Sequence, residues 1–141
     1  MKIIKKIKAG AMVINWDNTY LVYRERFDDY SFPKGSLEKW ESLKEAALRE
    51  VLEEIGIKWA IQWYIDIISY SFTQDDTIFD CEVHYFLMTI DQYITNQLAD
   101  DVDSISLVKI TDLNNILTYK EDKHILQMAL SKYPEFLWNK N

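Results

Sequence analysis

Hydrophobic residues along this chain fall into two spacings, one of strands and one of helices. Residues 9–14 form a continuous apolar run and residues 20–24 a second apolar-rich stretch. Between them, Trp16-Asp17-Asn18-Thr19 is turn-like, so the two stretches predict a hairpin. Residues 27–40 hold Pro33 and Gly35 and read as a loop. Residues 41–55 have helical spacing, and Gly56 stands where a left-handed C-terminal cap belongs. Residues 59–72, rich in Ile, Trp and Tyr, predict a strand. Residues 73–77 are polar and predict a turn. Residues 78–90 predict a second strand, with Phe79, Cys81, Val83, Tyr85 and Leu87 at alternating positions. An acidic loop follows at residues 100–103, then a short strand at 106–110 and a short helix at 112–117. Residues 121–132 close the chain as an amphipathic helix with Ile125, Leu126, Met128, Ala129 and Leu130 as its apolar content. Strands and helices mixed at irregular spacing predict an α/β (α+β) architecture, a mixed sheet with helices packed on it.

Length and composition narrow the function. A chain of 141 residues is expected to form one domain spanning 1–141, without repeats or low-complexity linkers. At 48% hydrophobic and 28% charged residues it is globular in composition. A formal net charge of −7 argues against a non-specific grip on nucleic acid. It leaves room for a phosphorylated small ligand, because a bound cation reverses the local sign. The single cysteine, Cys81, excludes an internal disulfide and a cysteine-rich zinc site, and suits a reducing cytoplasm. Lys2, Lys5, Lys6 and Lys8 precede the first apolar run, but that run is too short for a secretory signal. No stretch approaches the ~20 apolar residues of a membrane span, so a soluble protein without membrane contact is expected.

On the helix at 41–55, Leu48, Val51, Leu52 and Ile55 share one arc of about 100°, the expected buried face. Glu50, Glu53 and Glu54 share another arc of about 100°, nearly opposite. Like charges at these spacings repel by a few tenths of a kcal/mol per pair, unless solvent or a cation offsets it. Three glutamates on a helix are ordinarily a solvated face. As oxygen donors on one rigid turn they also suit a hard divalent cation.

The surrounding residues favour the second reading. Gly35 is followed by five residues and Glu41, then by seven more and Arg49-Glu50-Val51-Leu52-Glu53-Glu54-Ile55-Gly56-Ile57. This resembles the signature of the Nudix hydrolases, with all fixed positions filled across residues 35–57. The resemblance implies an α/β/α sandwich with a mixed sheet and a loop-helix-loop motif. It implies hydrolysis of a nucleoside diphosphate linked to another group, assisted by Mg²⁺ or Mn²⁺. It makes Glu50, Glu53 and Glu54 metal ligands, with the Gly35 carbonyl a further one and Glu50 the leading general base. Arg49 and Glu41 would orient those ligands.

Phe32-Pro33-Lys34-Gly35 and Val83-His84-Tyr85-Phe86-Leu87 resemble segments of the branch that cleaves diadenosine tetraphosphate asymmetrically to ATP and AMP. On that resemblance Lys34 meets phosphate, Phe32 helps shape the substrate site and Tyr85 stacks on a base. Tyr85 also reads as a core aromatic, and His84 as an exposed or edge residue. Ser36, Trp40 and Tyr30-Ser31 depart from the usual residues of relatives. Asp100, Asp101 and Asp103 lie where some relatives offer another acidic group. Two other readings are nucleoside triphosphate pyrophosphohydrolysis, which would sanitise the nucleotide pool, and nucleotide sensing without turnover. An RNA 5′-pyrophosphohydrolase is disfavoured by the net charge and the Pro-Lys-Gly entry. The expected partner is a nucleoside polyphosphate, for a monomer or homodimer.

Overall fold

The computed structural model describes residues 1–93 and 104–137. Seven strands form one mixed sheet: β1 (Lys2–Asn15), β2 (Asn18–Arg24), β3 (Asp29–Ser31), β4 (Lys34–Ser36), β5 (Ile57–Gln74), β6 (Thr77–Tyr93) and β7 (Ser104–Lys109). The order along the sheet is β3-β2-β1-β6-β5, with β4 added to β1 and β7 to β2. β1 runs parallel to β6 from Lys2↔Thr77 to Ile14↔Thr89. Its other pairings are antiparallel, to β2 near the turn and to β4 through Lys8↔Ser36, Ala9↔Gly35 and Gly10↔Lys34.

The apolar run of β1 is buried on both faces, as a central strand must be. Ala9, Ala11 and Val13 pack with Phe86 and Met88 under helix α1 (Leu43–Ile55). Met12 and Ile14 pack with Val83, Tyr85 and Leu87 on the opposite face. There they meet α2 (Leu113–Ile116) and α3 (Lys120–Lys132), which bring Leu113, Ile125, Leu126 and Ala129. The result is helix, sheet, helix.

The predicted elements recur with altered bounds. The first hairpin turns on Trp16 and Asp17, with Asn15 opposite Asn18. The turn expected over residues 73–77 shrinks to Asp75-Asp76, both at positive φ (49° and 59°), as a tight hairpin requires. The expected loop at 27–40 contains β3 and β4, three-residue strands too short to show a period. A 3-10 turn at Ile110–Asp112 precedes α2. A short helix α4 (Pro134–Leu137) had no signal in the pattern.

Helix α1 starts at Leu43 rather than 41. Ser42 caps it, accepting the Glu45 N–H, while the Glu45 carboxylate accepts the Ser42 N–H. Gly56 closes it at φ 79°, the left-handed cap that glycine favours. The buried face differs from the expected one: it comprises Ala46, Ala47, Val51, Glu54 and Ile55, with Leu48 and Leu52 only partly covered. The two alanines let the helix lie close to the sheet. That rotates Glu50 and Glu54 toward the protein instead of away from it.

Candidate active site

The close approach of α1 to β4 builds the site. An added Cβ on Gly35 would stand 2.1 Å from Glu50 Cδ and 2.3 Å from each carboxylate oxygen. The glycine is therefore a cradle for Glu50, which no other residue leaves open. Burial pushes the Glu50 carboxyl above its ordinary pKa, and the Arg49 guanidinium pulls against that shift.

Arg49 ties loop to helix. Its Nε donates to Glu41 Oε2 at 2.7 Å and its Nη2 to Glu41 Oε1 at 2.9 Å, a two-pronged pair. Nη2 also donates to the Ser36 carbonyl at 2.9 Å. Nη1 donates to Glu50 Oε1 at 2.7 Å and reaches Glu53 Oε2 at 3.3 Å. The Arg49 hydrogen bonds hold Glu41 below the usual carboxylate range. Glu41 also accepts the Glu38 N–H at 2.9 Å, which closes the loop onto itself. Trp40, just before it, is 91% exposed and held at φ 68°, a left-handed conformation in which glycine is unstrained.

The three helix glutamates differ in surroundings. Glu54 is buried and shares a hydrogen bond with Glu50. Glu53 is half exposed and turned to Arg49. All three line one cleft of about 320 Å³ with Gly35. Among the described residues, no three acidic, imidazole or thiol groups stand close enough to hold an ion as they are placed. Glu53 is the most exposed of the three, and its contact with Arg49, at 3.3 Å, is longer than that of Glu50 at 2.7 Å. Two carboxyls in mutual contact, a third beside them and a cradling glycine are an all-oxygen donor set. They fit a hard divalent cation.

Lys8, Arg24 and Lys34 also line the cleft. Arg24 is fixed by the fully buried Asp29, with Nε to Oδ1 at 3.0 Å and Nη2 to Oδ2 at 2.5 Å. Tyr119 donates to the same Oδ2 at 2.6 Å. Lys34 thus lines the cleft with Lys8 and Arg24, which the sequence pattern did not single out as cleft residues. Their signal was Lys8 at the start of a strand that turns apolar, and Arg24 at the end of another.

One expectation needs correction, that Tyr85 stacks on a base. Tyr85 is fully buried, and its hydroxyl donates to Asp122 Oδ1 at 3.1 Å. Phe32 is also fully buried and meets Tyr85 edge-on at 6.1 Å between centroids. Both belong to the core on the α3 side, Tyr85 because the alternation of β6 sends odd-numbered residues there. Neither ring is open to a ligand base, although Phe32 still contributes to the cleft wall. His84 is half-buried, with Nδ1 2.9 Å from the Tyr64 hydroxyl. Asp100, Asp101 and Asp103 lie outside the described residues.

A family model described as the NUDIX domain matches residues 5–129. The chain belongs to the NUDIX family. Nudix hydrolases work with divalent cations, in keeping with the donor set above. A curated relative from Mycobacterium tuberculosis, "Putative mutator protein MutT4", is 30% identical over 103 residues, 71% of this chain. That match spans 40% of the relative's own length. Solved structures share the Nudix fold. A NUDIX hydrolase from Nitrosomonas europaea superposes with a TM-score of 0.75 at 18% identity, covering 91% of this chain and 90% of that one. A C. elegans Ap4A hydrolase in a binary complex gives 0.73 at 19%, covering 93% and 99%. A MutT protein from Bacillus halodurans gives 0.73 at 21%, covering 86% and 80%. Among the described residues no helix is long and apolar enough to cross a membrane.

Proposed function

We propose that this Nudix protein hydrolyses a phosphoanhydride bond of a nucleoside polyphosphate, with asymmetrical cleavage of diadenosine tetraphosphate to ATP and AMP as the preferred reaction and Mg²⁺ as the preferred ion. The observation that carries this reading is the polarity of the cleft. Glu50, Glu53 and Glu54 line it together with Lys8, Arg24 and Lys34. A polyphosphate chain fits there only when a cation accompanies it at the glutamates. Phe32-Pro33-Lys34-Gly35 adds support, because it brings Lys34 to the cleft beside the Glu50 cradle.

In this reading Glu50, Glu53, Glu54 and the Gly35 carbonyl hold the divalent ion. When bound, such an ion supplies charge neutralisation at the bridge and acidifies water. Arg49, braced by Glu41 and the Ser36 carbonyl, keeps Glu50 in register. Glu50 takes the proton as the water oxygen forms its bond to phosphorus. The bond from phosphorus to the bridging oxygen breaks, and the electron pair leaves on the departing phosphate. Lys34 and Arg24 meet the charge that collects on the phosphate oxygens.

A second reading, conversion of a nucleoside triphosphate to monophosphate and pyrophosphate, is favoured by the likeness to a mutator protein. Product analysis decides. ATP plus AMP from diadenosine tetraphosphate supports the first reading. Selective turnover of triphosphates supports the second. Nucleotide binding without any metal-dependent product would leave a sensing role and overturn both.

A further inference from the structure

Arg24, which lines the cleft, ends on a buried carboxylate that the chemistry above leaves unused. Asp29 is fully buried on the three-residue strand β3, directly opposite Arg24 of β2. An ionised carboxyl in such a place is costly unless its oxygens find donors. Here both do. Oδ1 accepts from Arg24 Nε at 3.0 Å, and Oδ2 accepts from Arg24 Nη2 at 2.5 Å and from the Tyr119 hydroxyl at 2.6 Å. Burial pushes the Asp29 carboxyl up, but the hydrogen bonds from Arg24 and Tyr119 outweigh it and hold the group below its ordinary pKa. Asp29 therefore stays charged at neutral pH.

These bonds are not needed to join the segments that carry them. β2 and β3 already pair through Val22↔Ser31, Tyr23↔Tyr30 and Arg24↔Asp29. The turn between them is closed by the Phe27 N–H, which donates to the Arg24 carbonyl at 3.2 Å, and by the Asp28 N–H, which donates to the Glu25 carbonyl at 3.1 Å. The chain entering α3 is stitched to β3 twice. The Thr118 N–H donates to the Tyr30 carbonyl at 3.1 Å, and the Tyr30 N–H donates to the Thr118 hydroxyl at 2.8 Å. A buried ion pair also adds little net stability over an apolar pair of the same volume. What the side chains add is a fixed guanidinium. Asp29 takes Nε and Nη2 of Arg24, and the Arg24 Cζ stands over the Phe27 ring at 4.3 Å from its centroid. Arg24 is thus held along one edge and over one face, and Nη1 is the end that Asp29 does not take. Among the described residues Arg24 lines the cleft, whereas Asp29 and Tyr119 are not part of its wall.

We infer that Asp29 and Tyr119 are positioning residues, which hold the Arg24 guanidinium preset for the phosphate chain of the metal-bound substrate. The inference rests on the phosphoanhydride reading of the cleft and adds two residues that act on the substrate only through Arg24. A guanidinium on a loose stem has to be ordered when the phosphate arrives. One already forked and stacked loses less freedom on binding, so affinity rises without a new contact.

The test is a mutant cycle on binding with the metal present. Calorimetry in saturating Mg²⁺ titrates a diadenosine tetraphosphate analogue in which methylene groups replace the bridging oxygens, so that no bridge is split. Tyr119→Phe keeps the ring and removes the hydroxyl. It should weaken binding by about fivefold while the melting temperature holds. The second background carries Arg24→Gln with Asp29→Asn, which exchanges the ion pair for two amides and leaves no buried charge alone. There Tyr119→Phe should leave affinity unchanged. No loss in the parent background, or the same loss in both, would overturn the inference, because Tyr119 would then be no more than a structural support. NMR of the unliganded chain gives a reading that needs no second background. The Arg24 Nε–H should exchange slowly with water and should exchange faster in Tyr119→Phe; equal rates in the two proteins would overturn the inference. No binding of the analogue by the unaltered chain would overturn both this inference and the reading of the cleft. Binding that Tyr119→Phe weakens, with no hydrolysis of diadenosine tetraphosphate itself, would sink the activity reading alone.

Discussion

Gly35→Ala isolates the contact on which the site is built. The added methyl would sit 2.1 Å from the Glu50 carboxyl carbon, well inside van der Waals distance. Gly35 has no left-handed φ, so alanine fits its backbone without strain. The atoms that must give way are the tip of a flexible side chain, and a retreat of roughly 1 Å restores normal contact. The strand and helix are therefore expected to survive while Glu50 leaves its place. A misplacement of about 1 Å costs about 10²-fold in rate, or about 2.7 kcal/mol of transition-state stabilisation. The assay is metal-dependent release of mononucleotide under saturating substrate, with a thermal melt of the same sample. Gly10→Ala serves as the contrast. Its Cβ would meet the Pro33 carbonyl oxygen at 2.5 Å and Tyr85 at 2.9 Å, so it should lower stability by about 1–3 kcal/mol. A Gly35→Ala protein with undiminished kcat would refute the idea that Glu50 works from this cradle.

Other perturbations separate the parts of the site. Arg49→Lys replaces a planar fork that serves Glu41, Glu50 and Ser36 with a single ammonium; kcat should fall at least tenfold with KM little changed, and steady-state kinetics checks it. Trp40→Gly relieves the left-handed backbone at φ 68° and should raise stability by about 0.5–1 kcal/mol, read from the urea midpoint. Asp122 is nearly inaccessible, and burial pushes its carboxyl up from 3.8 to about 6, against the pull of Lys34. The folded state then holds the proton more tightly than the unfolded chain. The stabilisation is complete below 3.8 and is lost as pH rises through about 6. Asp122→Asn should match the parent at low pH and exceed it by roughly 2–3 kcal/mol at neutral pH in denaturant titrations.

The sequence placed the glutamate helix and its glycines more fully than the wall that surrounds them. The spacing from Gly35 to Ile57 names each residue around the Glu50 cradle, because each is fixed by a local need: a glycine for close approach, a capping glycine, carboxylates one turn apart. The helix face was misjudged for a physical reason. Ala46 and Ala47 carry little hydrophobic weight in a pattern, yet their size sets how near the helix lies and so which glutamates turn inward. Alternation along β6 was visible, but it does not say which face is covered. Tyr85 therefore read equally as core or platform until the register put α3 above it. Lys8 meets the cleft only through the parallel pairing of β1 with β6 and the return of β4, contacts between residues far apart in the chain. No local pattern carries them.

Uptake of a divalent ion tests the site most directly. Calorimetric titration of Mn²⁺ into the protein with nucleotide present should show saturable binding. Glu53→Gln and Glu54→Gln should each weaken it by at least tenfold while the melting temperature holds. No saturable uptake, or the same uptake in both variants, would contradict an ion-binding role for these glutamates.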